Sequence, residues 1–400
     1  VRHKIIVTFL LSFYILLLTA CNDSPTDIGS GLVSQDGVIV TKFNSAVDSM
    51  NQSWHSFKYV YSLASSNIIM VGKSENVESK ILIKFVFGLP DTLKQDIIKD
   101  SIIIKESWIE MNKAYDFGDL NGVFNFDVFK VNNFWTASFS ADSFANLNYD
   151  NINLGSNFQS TNDTAYSFNI ENSLVIPWLI NASDTSLGSN NGILLSATAN
   201  TQRIMGFTAY NISALNDPRL KIVFEKPGVY ADTITGYVAS DISIVLGNLP
   251  VVNTENIVIQ SSLCAEAKVF FDLSVIPKDA TINSANLTFT IDSSETKTGS
   301  TFNNALYIYL FSDSSTYLSS DSSIYGLNSN YVHTLNRNSN TFSGLITDMV
   351  RAIHAGLDNQ GFLVKAAGEV NGVEIFALKG SNAADVVKRP KLEIVYSRKK

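Results

Sequence analysis

The chain has 400 residues, 37 Asp and Glu against 29 Lys and Arg, and 45 % hydrophobic residues. That acidic balance speaks against nucleic acid and against direct adhesion to anionic lipid. Low charge content with abundant Ser, Asn, Thr, Phe and Tyr points to strands joined by polar loops rather than to a helical protein. With only Cys21 and Cys264 present, an internal disulfide framework is excluded once Cys21 is modified.

The first element is a targeting segment. Arg2, His3 and Lys4 precede an apolar run from Ile5 to Leu18, and Leu18-Thr19-Ala20-Cys21 follows. The run is too short, and too closely followed by small residues, for a transmembrane helix. It resembles the lipobox of bacterial lipoproteins. The resemblance implies a signal peptide over 1–20, lipidation at Cys21 and a membrane held through the lipid anchor, because two or more acyl chains give stable attachment. The competing reading is a plain secretory signal with an incidental cysteine. Asn22 is not the Asp that retains some lipoproteins at the inner membrane, so the outer membrane is expected, on its periplasmic or cell-surface face. Residues 21–38 carry Ser24, Pro25, Asp27, Gly29, Gly31 and Gly37 and read as a solvated tether.

The body repeats itself. Ser66–Val71 matches Glu255–Gln260 at an offset of 189 residues, and Ile81–Phe85 followed by Leu89-Pro90 matches Ala267–Phe271 followed by Ile276-Pro277 at 186. Ser173–Ile180 parallels Gly344–Val350. Asn190-Asn191-Gly192 with its strand parallels Asn359-Gln360-Gly361 at 169, and Pro218–Phe224 parallels Pro390–Tyr396 at 172. The falling offset gives the first copy the longer loops. Each copy reads as many short strands; Val123–Lys130 alternates in part between two faces, and Leu306–Phe311 is apolar on both. Asp91–Lys99 and Leu345–Ala355 are the helical candidates. The expected fold class is all-β, with two tandem jelly-roll-like β-sandwich domains over 39–227 and 228–400, each with one short helix, in preference to a barrel.

Several of these stretches together are similar to the DNRLRE-type domain. They are the Lys80–Phe87 strand, Ser284–Phe289, the Phe134-Trp135-Thr136 step, the apolar helix, the Asn-Asn-Gly turn, and the closing Pro-Arg-Leu and Pro-Lys-Leu strands. The second copy lacks the Trp-Thr step and has Ser315-Thr316-Tyr317 near its place. The resemblance implies a jelly-roll-like sandwich related to carbohydrate-binding modules, on secreted or surface proteins that handle polysaccharide. It implies no binding residues.

Chemistry-bearing patterns are sparse. No HExxH spacing and no Gly-x-Ser-x-Gly elbow occurs in the sequence, and no catalytic residue is assigned. Asp116, Asp119 and Asn121 place three oxygen-bearing side chains near a turn, a candidate calcium loop that lacks the EF-hand spacing; a solvated turn is the competing reading. Trp54, Phe57, Tyr59 and Tyr61 cluster, and the last three alternate onto one strand face. That face is a sugar-stacking platform if open and core if covered. The expected function is a non-catalytic, lipid-anchored envelope protein binding extracellular glycan or another surface component. A purely structural or assembly role with a protein partner, and a polysaccharide-acting hydrolase, are the alternatives. No nucleic-acid partner is expected.

Overall fold

The computed structural model describes residues 37–400 except 163, 211, 213–214 and 320–325. The expected signal peptide, Cys21 and nearly all of the expected tether lie outside the described residues. The chain opens with β1 (Val38–Asn44) and β2 (Gln52–Lys58). Then come β3 (Ile68–Ser74), β4 (Val77–Phe87), β5 (Ile103–Gly118), β6 (Phe126–Lys130), β7 (Gly155–Ser160), β8 (Ala165–Ile170), β9 (Ile193–Ala197), β10 (Arg203–Thr208) and β11 (Arg219–Lys226). A long β12 (Tyr230–Gly247) leads to β13 (Asn256–Gln260), β14 (Ala265–Phe271), β15 (Thr281–Thr290), β16 (Ala305–Phe311), β17 (Leu327–Asn338), β18 (Thr341–Leu345), β19 (Phe362–Ala366), β20 (Ile375–Lys379) and β21 (Lys391–Lys399). The helices are α1 (Asp91–Ile98), α2 (Asn172–Ser183), α3 (Ser314–Ser319) and α4 (Thr347–His354).

The fold is all-β, of sandwich type, with two large antiparallel sheets of ten and eleven strands. Strand patterning follows burial. In β11, Leu220, Ile222 and Phe224 point inward while Arg219, Lys221 and Val223 alternate outward. β4 is apolar on both faces because both are covered: Ile81, Ile83 and Phe85 join the first sheet's core, and Val77 and Leu82 face a second apolar cluster. The second sheet wraps its own core, centred on Phe289, Leu306, Phe342 and Phe362.

The two sheets follow one order of pairings. β3–β4, β4–β9, β9–β6, β10–β3, β5–β8, β8–β7 and β5–β11 recur as β13–β14, β14–β19, β19–β16, β20–β13, β15–β18, β18–β17 and β15–β21. The β10–β5 pairing recurs as a bridge between Ile291, just past β15, and Leu378 of β20. Local chemistry repeats as well. Asn190 donates to the Phe85 carbonyl at 2.7 Å and accepts the Gly192 N–H at 3.2 Å; Asn359 donates to the Phe271 carbonyl at 2.8 Å and accepts the Gly361 N–H at 3.3 Å. Both glycines sit at positive φ (74° and 87°). A Cβ on Gly192 would fall 2.1 Å from the Ile83 carbonyl oxygen, so only glycine fits that turn.

One correspondence crosses between the halves. β12 pairs first with β11 (Tyr230–Tyr237) and then with β4 (Gly236–Gly247). In the second sheet the matching places on β21 and β14 are filled by β1 and β2. β1 and β2 precede the first sheet in sequence yet pair with strands of the second, Lys58 Nζ also donating to the Gly247 carbonyl of β12 at 3.2 Å, and β12, which precedes the second, completes the first. The expected boundaries of 39–227 and 228–400 put both segments on the other side. The first and last described residues consequently meet: Lys400 N–H donates to the Gly37 carbonyl at 3.1 Å.

The halves share a buried junction. Met70, Tyr115, Ile204 and Ile244 of the first pack with Leu263, Cys264, Val373 and Ile375 of the second. Tyr115 O–H donates to Glu374 at 2.8 Å and accepts the Val373 N–H at 3.0 Å. Glu75 and Lys297 add an ion pair of 2.7 Å across the same seam. Among the described residues no helix is long and apolar enough to cross a membrane.

Candidate functional site

β6 is paired along one edge by β9, from Phe126 opposite Ala197 to Lys130 opposite Ile193. Its other edge is only half covered. The segment before β7 reaches it through Asp150 N–H to the Lys130 carbonyl (2.9 Å) and Leu154 N–H to the Val128 carbonyl (2.8 Å). Asn153 Oδ1 accepts the N–H groups of Val128 and Gly155, both at 2.9 Å, and holds that crossing point together. Beyond Val128 the strands part, and on this edge no strand among the described residues pairs with β6 at Phe126. In the second sheet the matching strands are paired throughout, β16 to β17 from Ala305 to Phe311.

At the same point β7 breaks register with β8, between Ser156 and Gln159, with Asn157 in the left-handed region at φ 55°. Asparagine tolerates that conformation better than most residues. The break leaves Phe158 over β6, its ring centre 5.0 Å from Phe126 and 5.3 Å from Phe124, and stacked on Tyr166 at 5.3 Å. What results is an open cleft of about 390 Å³ with Phe126, Phe158 and Phe168 beneath it and Asn125, Asn157 and Asn200 around it. Those three asparagines are exposed, and their side-chain amides make no hydrogen bond to other described residues. Phe126 and Phe158 are half-buried, packed on the core yet open on one side. Apolar ring surface below, with amide donors and acceptors at the rim, suits a ligand that has both CH faces and hydroxyls.

The aromatic cluster singled out in the sequence lies elsewhere and is covered. Tyr59 stacks on Tyr317 of α3 at 5.3 Å, and Phe57 meets the same ring edge-on at 6.3 Å. Phe311 and Leu363 complete this packing, with Tyr61 against its margin. Trp54 points to the opposite face of β2, packs partly on the second core and donates to Asn382 at 3.3 Å. The four residues therefore fasten β2 and the segment after it to the second sheet, and do not form one open platform.

Asp116, Asp119 and Asn121 are likewise not brought together around a shared position. Asp116 lies near the end of β5, buried, its carboxylate bonded to Arg203 and 3.0 Å from Lys113 Nζ. Asp119 turns back to accept the Asn121 N–H at 3.0 Å, closing an exposed turn. Among the described residues no group of three or more His, Cys, Asp or Glu is arranged to hold a metal ion. Trp135 and Trp178 are core residues, whereas Trp108 lies on the outward side of β5 and donates to Glu110 at 2.9 Å. Cys264 is a buried free thiol, and burial pushes its pKa up.

No family model, curated protein or solved structure matches the chain.

Proposed function

We propose that this chain is a lipid-anchored, non-catalytic protein of the outer membrane that binds extracellular glycan through the cleft between β6 and β7. The lipobox-like Leu18–Cys21 segment supports the anchoring, and the resemblance of the repeat to DNRLRE-type domains supports the ligand class. The observation that carries the binding site is the unpaired edge at Phe126, where half-exposed rings lie under unengaged asparagine amides. Pyranose rings offer CH faces to stack on Phe126 and Phe158 and hydroxyls for Asn125, Asn157 and Asn200.

A glycan array probed with the chain lacking residues 1–21 tests this. A bound polysaccharide is expected, with its affinity reduced about tenfold by Phe158→Ala and about three- to tenfold by Asn200→Ala, as lost stacking and hydrogen bonding dictate. Asn200 is exposed and its side chain makes no hydrogen bond to other described residues, so its variant should keep the wild-type unfolding midpoint. Binding that ignores both substitutions would move the site elsewhere. No binding to any polysaccharide, with a protein partner recovered by crosslinking through this cleft, would replace the glycan reading with a protein-binding one.

A further inference from the structure

Beneath the covered aromatics lies a cluster with one acid too many. Glu266 of β14 is wholly buried and Glu369, just after β19, nearly so. Lys365 sits between them, 2.8 Å from Glu369 and 3.8 Å from Glu266. Its ammonium lies over the rings of Tyr309 (5.5 Å) and Tyr61 (6.0 Å). Tyr317 O–H donates to Glu266 Oε2 at 2.7 Å, and the phenol of Tyr61 faces Glu369. Two carboxylate oxygens, Glu266 Oε1 and Glu369 Oε1, remain buried without a hydrogen-bond partner.

The other groups around the cluster do not neutralise it. The Cys264 thiol is buried beside it. Tyr59 and Phe57 come from the N-terminal segment, Phe57 in register opposite Glu266. Lys268, two residues along β14, is engaged with Ser314 at 2.8 Å, and His55 stacks on the far side of Phe57. With both acids ionised the site would hold a net negative charge removed from water, which is strongly unfavourable.

We propose that Glu266 keeps its proton in the folded protein at neutral pH, directed toward Glu369, and that this proton locks residues 52–61 onto the second sheet. A proton between them gives an unpartnered oxygen a donor, leaves a neutral Lys–Glu pair and keeps Tyr317 oriented toward Tyr59. Burial first, then the Glu369 charge, pushes the Glu266 carboxyl well above its ordinary 4.5, in the same direction.

The folded carboxyl holds its proton where the unfolded one has lost it, so this contribution to stability is full below about pH 4.5 and is lost as pH rises through the folded value. The unfolding equilibrium constant should therefore climb by up to tenfold per pH unit above pH 5 until Glu266 ionises in place. Asp241, which burial raises to about 6, and Glu374, which burial also raises, add to the wild-type slope but are common to wild type and variant. The test is chemical unfolding of the full chain from pH 5 to 9, wild type beside Glu266→Gln. The variant should lose one proton's worth of slope and be the more stable protein at pH 8. Equal slopes would overturn the proposal. Infrared spectra of the native protein at pH 8 supply a readout independent of the variant's folding: a protonated carboxylic-acid carbonyl band is expected, and its absence would refute the protonated Glu266.

Discussion

Deleting residues 37–58 is expected to unfold the second sheet while leaving the first folded. The deletion strips β21 of its seven-residue register with β1, and β14 of its register with β2 from Gln52 to Lys58. It also takes Met50 out of the second core and removes Phe43 and Trp54 from its flank. Losing one large buried side chain costs about 2–5 kcal/mol, and a whole domain is held by only about 5–15 kcal/mol, so the second sheet cannot absorb the loss. Hydrogen exchange on the 59–400 chain is the direct readout. Amides of β14, β19 and β21 should lose protection, while those of β4 and β12 keep it. Added synthetic peptide 37–58 should restore protection, because its strands again pair with β21 and β14 and shift the second sheet back to the folded state. Undiminished protection throughout the truncated chain would show that the N-terminal strands are ornamental.

The second large effect is expected at the seam. Tyr115 is buried, and its hydroxyl is the single group that both donates to Glu374 and accepts from Val373. Tyr115→Phe keeps the ring and leaves a buried carboxylate and a buried N–H without that partner, at about 2–4 kcal/mol. Tyr115→Ala adds a cavity and should cost about 5 kcal/mol or more. The Phe variant carries a further signature. Burial already raises Glu374 and the Tyr115 hydroxyl pulls it down, so removing that donor raises the carboxyl further. The variant's deficit should accordingly grow as pH rises. Urea unfolding at pH 5 and pH 8 measures both, and a variant within about 0.5 kcal/mol of wild type at both values would mean the seam is held by apolar packing alone.

Much of the architecture was legible in the chain, for identifiable reasons. Gly192 and Gly361 are dictated by a turn that only glycine can make, and the asparagine two residues before each ties that turn to the neighbouring strand. Such sterically forced motifs survive where ordinary strand residues drift, so the repeat could be read from them. α1 and α4 fell within a few residues of their expected spans, at Asp91–Ile98 and Thr347–His354. The exchange of leading strands was not legible. β1, β2 and β12 are amphipathic strands with nothing in their composition to say which sheet they join; partner choice is a long-range property that alternation cannot encode.

The cleft was missed for a similar reason. Phe124, Phe126 and Phe158 read as ordinary strand aromatics, and what exposes them is a register break at Asn157. The alternation of Phe124 and Phe126 gave no distinguishing signal, because the counterpart strand β16 carries its own alternating pair, Tyr307 and Tyr309. The Trp54–Tyr61 cluster shows the converse. Its alternation was real, but the cover comes from Tyr317, more than 250 residues away in sequence. Proximity in sequence could not decide between platform and core.

Each sheet being completed by the other half's leading strands is the claim on which the rest turns, and a circular permutant tests it most directly. Joining Lys400 to Gly37 through a short linker and opening the chain within residues 248–254 makes 255–400 plus 37–58 one contiguous stretch, and 59–247 another. The permutant should fold with wild-type cooperativity, and residues 59–247 expressed alone should give a protected, cooperatively melting protein where 39–227 does not. A folded 39–227 fragment beside an unfolded 59–247 would contradict the exchange outright.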